Sequence, residues 1–204
     1  MGSCCNDDKC VDVSHEQQRR TLIKVLWINA IMFVAIVSAA FYGKSTALLS
    51  DSLDNLGDAL TYGLSLYAIH RGNETKAKIA LFKGGLIFLA ASLVIAQVIH
   101  KIIYPVVPSY EVMSIFSIVG LAANGACLYL LWRHRNEDIN MSSVFECSRN
   151  DIASNLSVIL AAIGVWHFNS GTPDIVVATL LAVYLLNSSA RVIWRAILEL
   201  KYMQ

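Results

Sequence analysis

The sequence predicts an all-α integral membrane protein, a six-transmembrane-helix bundle with its N- and C-termini on the cytoplasmic side. Three observations carry that expectation. Hydrophobic residues make up 56% of the 204-residue chain and charged residues 15%, against about 25% charged in ordinary soluble domains, and mean hydropathy is +0.54. The apolar residues gather into six runs, each long enough for the roughly 20 residues that cross a bilayer as helix. Lysine and arginine collect on alternate connections, as the positive-inside rule requires of a chain that crosses repeatedly.

Residues 1–20 form a polar segment expected to be a flexible cytoplasmic tail, and residues 21–204 the transmembrane domain. The tail holds Cys4, Cys5, Cys10 and His15 among Asp7, Asp8 and Asp12. Thiolates and an imidazole beside carboxylates suit a soft or borderline divalent ion, although the Cys-x4-Cys spacing is a weak signal. The first apolar run, from Thr21 to Tyr42, follows Arg19-Arg20. It is too long for a signal-peptide core and has no clear cleavage site. Gly43-Lys44-Ser45 is the turn into the second span, Thr46 to Ile69, and a charged loop from His70 to Lys78 leads to the third, Ile79 to Ile103. There Gly84-Gly85 and Ala90-Ala91 are small enough for close helix approach. Two prolines, Pro105 and Pro108, break the chain before the fourth span, Val112 to Trp132. That span contains Gly120, Asn124 and Cys127; Cys127 reads as a small buried apolar residue, and Asn124 as a polar contact between helices or a support for a site. After the loop from Arg133 to Asn140, the fifth span covers Met141 to Phe168, Asn169 to Pro173 is a tight turn, and the sixth covers Asp174 to Ala196. The few residues beyond it lead us to expect no soluble C-terminal domain.

The cations fix the orientation. Lys9, Arg19, Arg20 and Lys24, then Arg71, Lys76, Lys78 and Lys83, then Arg133 and Arg135, then Arg191, Arg195 and Lys201 all fall on the side of the termini, while the opposite side holds Lys44 and Lys101. With a net charge of +1 and no basic patch interleaved with aromatics, a nucleic-acid partner is excluded; the partner implied is the lipid bilayer. Five cysteines, three of them near the N-terminus, form no even disulfide framework, which suits a reducing compartment or metal binding.

The second span carries the chemistry. Ser50-Asp51-Ser52-Leu53-Asp54-Asn55-Leu56-Gly57-Asp58 places three carboxylates in an otherwise apolar run. A carboxylate near mid-bilayer costs roughly 2.5–3.5 kcal/mol on insertion scales, so three of them are not filler. Asp54 and Asp58, at i and i+4, share one helix face, whereas Asp51 suits an N-cap as well as a site. The fifth span repeats the spacing with Cys147 and Asp151. Two helices thus offer four candidate metal ligands, the number a tetrahedral site needs. In the predicted topology the two helices are antiparallel. At 1.5 Å per residue, Asp54 and Asp58 lie roughly 12 and 18 Å in from one face and Cys147 and Asp151 roughly 9 and 15 Å in from the other, so that in a core about 30 Å thick all four can meet. Arg149, at i+2 from Cys147, is expected to point away and snorkel, and His70, His100, His134 and His167 sit at span ends or loops.

On these residues the sequence resembles the cation diffusion facilitator family. Ser45-Thr46-Ala47-Leu48-Leu49-Ser50-Asp51 is similar to its lead-in to the second helix, Asp54-x-x-x-Asp58 to its His/Asp-x-x-x-Asp motif and Cys147-x-x-x-Asp151 to its His-x-x-x-Asp motif; Gly120, Asn124 and Pro173-Asp174 also resemble the pattern. The resemblance implies a short variant of a metal transporter that exports divalent transition metals, zinc or cadmium first among them, in exchange for protons. It works as a homodimer, with Asp54, Asp58, Cys147 and Asp151 as ligands, no cofactor and no enzymatic activity. The expected location is the cell (inner) membrane of a bacterium. Cys147 departs from the family's histidine and bears on metal preference. Two other classes stand beside this one. A metal-dependent membrane enzyme would need an open coordination position that four protein ligands do not leave, and no His-Glu-x-x-His pattern is present. A metal sensor or scaffold that binds without transporting would share the same ligands.

Overall fold

Each apolar run predicted to cross a bilayer is a helix. The computed structural model describes residues 7–68, 73–133 and 139–202, which form α1 (Asp7–Tyr42), α2 (Thr46–Ala68), α3 (Asn73–Ile103), α4 (Tyr110–Trp132), α5 (Ile139–Phe168) and α6 (Thr172–Tyr202). Several helices outrun their apolar segments at the end that bears the chain termini. α1 starts at Asp7 rather than Thr21, α3 at Asn73 rather than Ile79, and α6 continues to Tyr202. Polar residues continue a helix readily where they face water. In α1, Glu16 pairs with Arg20 at 3.0 Å and Arg19 at 3.9 Å, one turn on, the spacing at which opposite charges support a helix.

Five of the helices are long and apolar enough to cross a membrane. The exception is α2, because any stretch of it long enough to cross contains Asp51, Asp54 and Asp58. The bundle compensates by placing α2 at its centre, against α1, α3, α5 and α6. The broadest contacts are α3 with α6, α1 with α2 and α4 with α5. Facing outward are Phe82, Leu89, Leu160, Leu180 and Trp194, all exposed, a coat suited to hydrocarbon. The chain is therefore an integral membrane protein.

Connections 43–45, 104–109 and 169–171 meet at one end, the hairpin end. The Ser109 amide donates to the Gly43 carbonyl at 2.9 Å, and a Cβ on Gly171 would lie 2.5 Å from the Val106 carbonyl oxygen, so only glycine admits that approach. Here α2 is anchored by a residue of α6. Asp174, fully buried, accepts hydrogen bonds from Ser45 Oγ at 2.6 Å, the Thr46 amide at 2.9 Å and the Ala47 amide at 3.0 Å. Ser45 Oγ in turn accepts from the Leu48 amide at 3.0 Å, the N-cap arrangement. Lys101 of α3 completes the group with a 3.1 Å ion pair to Asp174 and a hydrogen bond to the Lys44 carbonyl. Lys101 is thus a buried tie between helices and not the interfacial charge that the sequence suggests; Lys44 is exposed. Below this anchor an apolar core joins the helices through Ile36, Leu48, Val98, Met113, Val158 and Ala178, closing the hairpin half of the bundle.

Candidate functional site

Toward the middle of the bundle the apolar core gives way to polar side chains. Asp51, Asn55 and Asp58 of α2, Ser117 and Asn124 of α4, and Ser148, Asp151 and Asn155 of α5 are all buried. The spacing of the α2 residues follows from its helix period. Asp51, Asn55 and Asp58 turn toward the bundle interior, while Asp54, Gly57, Asp58 and Thr61 form part of the wall of a cavity.

That cavity, about 470 Å³, lies between α2, α3, α5 and α6 and includes Asp54, Asp58 and Asp151 in its lining. Three of the four expected ligands therefore share one space, brought there by two helices, as the paired spacings predict. Asp54 accepts a 2.7 Å hydrogen bond from Ser154 of α5, which ties the two helices together at the site. The fourth expected ligand, Cys147, sits on α5 one turn before Asp151, and its side chain lies outside the described residues. Among the described residues, no three His, Cys, Asp or Glu side chains form a metal-holding group. A four-ligand arrangement needs Cys147 to join the carboxylates.

Several residues near the site were not singled out by sequence reasoning. Tyr62, fully buried, donates a hydrogen bond to Asp58 and lies 3.3 Å from the Ser148 hydroxyl. Its signal was positional, i+4 from Asp58. Ser154 stands at i+3 from Asp151 in the same way. Lys83, counted in the sequence among the charges at the membrane edge, instead lines the cavity and hydrogen-bonds to Thr61 Oγ1. The clue was a lysine lying inside an apolar run.

Arg149 is exposed, and His100 and His167 are exposed at the hairpin end, His100 in a tilted ring contact with Tyr104 and His167 edge-on to Phe168. Cys127 is buried with Leu22, Val25, Tyr62 and Leu131 and accepts a weak hydrogen bond from Asn29 at 3.7 Å, which fits a packing role. Gly120 has a steric reason for being glycine, since a Cβ there would lie 2.2 Å from Asn155 Oδ1. Asn124 is buried, and its amide nitrogen has no hydrogen-bond partner among the described residues. His70 and His134 lie outside the described residues, as do the side chains of the N-terminal cysteines.

Arranged this way, the cavity can present several oxygen donors of negative charge to a cation inside a membrane-crossing bundle, and those oxygens can carry protons instead. Residues 22–201 match the model of the family described as Cation efflux transmembrane domain. No curated protein sequence matches the chain.

Proposed function

Because the chain belongs to the cation efflux family of membrane transporters, we propose that it exports divalent transition metals, zinc and cadmium foremost and cobalt-like ions with them, in exchange for protons. Asp54, Asp58, Cys147 and Asp151 are the ligands of the transported ion. One observation carries this reading: carboxylates from two helices, Asp54 and Asp58 from α2 and Asp151 from α5, line a single cavity within the bundle. Intramembrane carboxylates are costly, and facing a shared cavity is how ion pathways use them.

The end bearing the termini is cytoplasmic by the lysine and arginine distribution. Along α2, α3 and α6 the cavity lining runs toward that end, from Leu53 to Thr61, from Ile87 to Lys83 and from Leu181 to Val192, whereas the hairpin half is filled by apolar side chains. Both features support an inward-facing arrangement. Metal binds the deprotonated ligands from the cytoplasm, the bundle rocks to expose the site to the far side, and protons there compete the metal off, since each ligand holds either a proton or the metal. Protonated carboxyls then make the return of the empty carrier less costly. The homodimeric state is carried over from the family resemblance.

The thiolate of Cys147 makes the site softer than a histidine would, favouring zinc and cadmium over manganese and magnesium. Purified protein in liposomes tests the whole reading, with zinc, cadmium, cobalt and manganese supplied in turn and metal flux and internal pH followed together. Zinc and cadmium flux with opposed proton movement is expected. Metal binding without flux would make the protein a sensor or scaffold. In the same liposomes Cys147→His should keep zinc flux and lower the cadmium-to-zinc ratio, while Cys147→Ser should weaken both. Wild-type ratios from both variants would remove Cys147 from the ligand set.

A further inference from the structure

The cavity that holds the carboxylates also holds a cation belonging to the protein. Lys83 of α3 lines it with Asp54, Asp58 and Asp151, half-buried and about one turn inside the apolar span of α3 that begins at Ala80. A lysine so near the membrane edge normally snorkels to the interface. Lys83 does not leave the cavity: its ammonium donates to Thr61 Oγ1, and Thr61 is itself a cavity residue. The Thr61 hydroxyl proton is engaged with the Gly57 carbonyl at 2.6 Å, which leaves the oxygen's lone pairs for the ammonium. Thr61 stands at i+3 from Asp58, on the same stripe of α2, and Lys83 and Asp58 line the same cavity.

We propose that Lys83 is a tethered competitor for the transported ion, an ammonium that neutralises the cavity carboxylates when no metal is bound and sets how tightly a metal is admitted. The proposal rests on the reading of Asp54, Asp58 and Asp151 as the transport site. Its physical basis is charge. A fixed positive charge in a partly desolvated cavity repels a divalent ion twice as strongly as it would a monovalent one at the same distance. The four-carbon stem of lysine lets the ammonium swing between Thr61 and the carboxylates. With metal absent, the internal cation lowers the net charge that the empty bundle must carry through its conformational change. With metal present, the ammonium stays in the same cavity, where Thr61 can hold it, and its charge favours release.

The experiment measures zinc affinity of the full-length protein in detergent by competition with a fluorescent zinc chelator, and zinc flux in liposomes. Lys83→Gln should bind zinc roughly tenfold more tightly and show a lower maximal flux, because release slows. Lys83→Arg should keep an affinity near that of the wild type. Thr61→Val frees the ammonium to settle on the carboxylates and should weaken zinc binding, the opposite sign to Lys83→Gln. This second variant decides the matter if Lys83→Gln does not fold. Unchanged or weaker zinc binding by folded Lys83→Gln, or unchanged binding by Thr61→Val, overturns the proposal. Asp58→Ala in the same assay separates the two readings. If it loses zinc binding while Lys83→Gln matches wild type, only the role of Lys83 fails; if it binds zinc like the wild type, the transport site fails and the competitor with it.

Discussion

One buried carboxylate at the hairpin end of this bundle and a group of carboxylates in its middle are treated in opposite ways. At the hairpin end Asp174 is surrounded by donors: a serine hydroxyl, two backbone amides and an ammonium. In mid-bundle, among the described residues, Asp51 has no hydrogen-bond partner at either oxygen and Asp151 has none at Oδ2, while Asp54 accepts from the Ser154 hydroxyl and Asp58 from that of Tyr62. A buried charge with every lone pair engaged holds a structure together, because its partners are fixed in one geometry. A buried carboxylate left with spare acceptors beside a cavity keeps capacity for something that comes and goes. The comparison separates anchor from site without any appeal to sequence motif.

The largest effect should follow from breaking the anchor. Removing one partner of a buried ion pair typically costs about 3–5 kcal/mol, because the other charge is left uncompensated, and Asp174→Ala also takes an acceptor from two amides that cap α2. Asp174→Ala and Lys101→Met should therefore both lower the thermal unfolding midpoint in detergent sharply, and flux should fall in step with the amount of folded protein. A variant of normal stability and no flux would move Asp174 from anchor to site. Asp58→Ala should show the reverse pattern. Flux is abolished but the midpoint stays close to that of the wild type, since a costly buried charge is removed and Tyr62 keeps Ser148 as a neighbour. Normal zinc flux from this variant would refute the site. Smaller still is Gly120→Ala, whose added Cβ collides with Asn155 Oδ1. Overpacking of this kind costs about 1–3 kcal/mol. Because Asn155 follows Asp151 by one turn and donates to its carbonyl at 2.8 Å, flux should drop in part along with the midpoint. If neither moves, Asn155 yields to the added methyl and the contact between α4 and α5 is loose.

Much of this was legible in the chain. The six helices followed from hydropathy, because in a bilayer every backbone group must be satisfied within its own helix. The gathering of Asp54, Asp58 and Asp151 followed from i, i+4 spacing on two antiparallel helices. What the chain did not disclose were partnerships between distant segments. Asp174 and Lys101 are 73 positions apart, and each alone reads as an end-of-span charge. Lys83 reads as one more basic residue near the membrane edge until the pairing of α3 with α6 turns it into the cavity. Helix lengths at the terminal end were underestimated for a related reason. Polar residues end an apolar run, but they do not end a helix that projects beyond the hydrocarbon.

Asp51 tests where the boundary between anchor and site falls, and its substitution should have the smallest effect of all. It resembles the anchor in being fully buried, and it resembles the site in lying one turn before Asp54. Yet it shares neither defining feature, for among the described residues no donor bonds to its oxygens and it is not part of the cavity lining. A residue so placed can bias Asp54 through charge alone. Removing that like charge leaves the ligands in position and relieves a desolvation cost, so Asp51→Ala should retain partial zinc flux with a midpoint no lower than that of the wild type. Complete loss of flux at normal stability would extend the site past the cavity wall to Asp51. A fall in midpoint comparable to that of Asp174→Ala would instead show Asp51 to be an anchor whose partners form only in another conformation of the bundle.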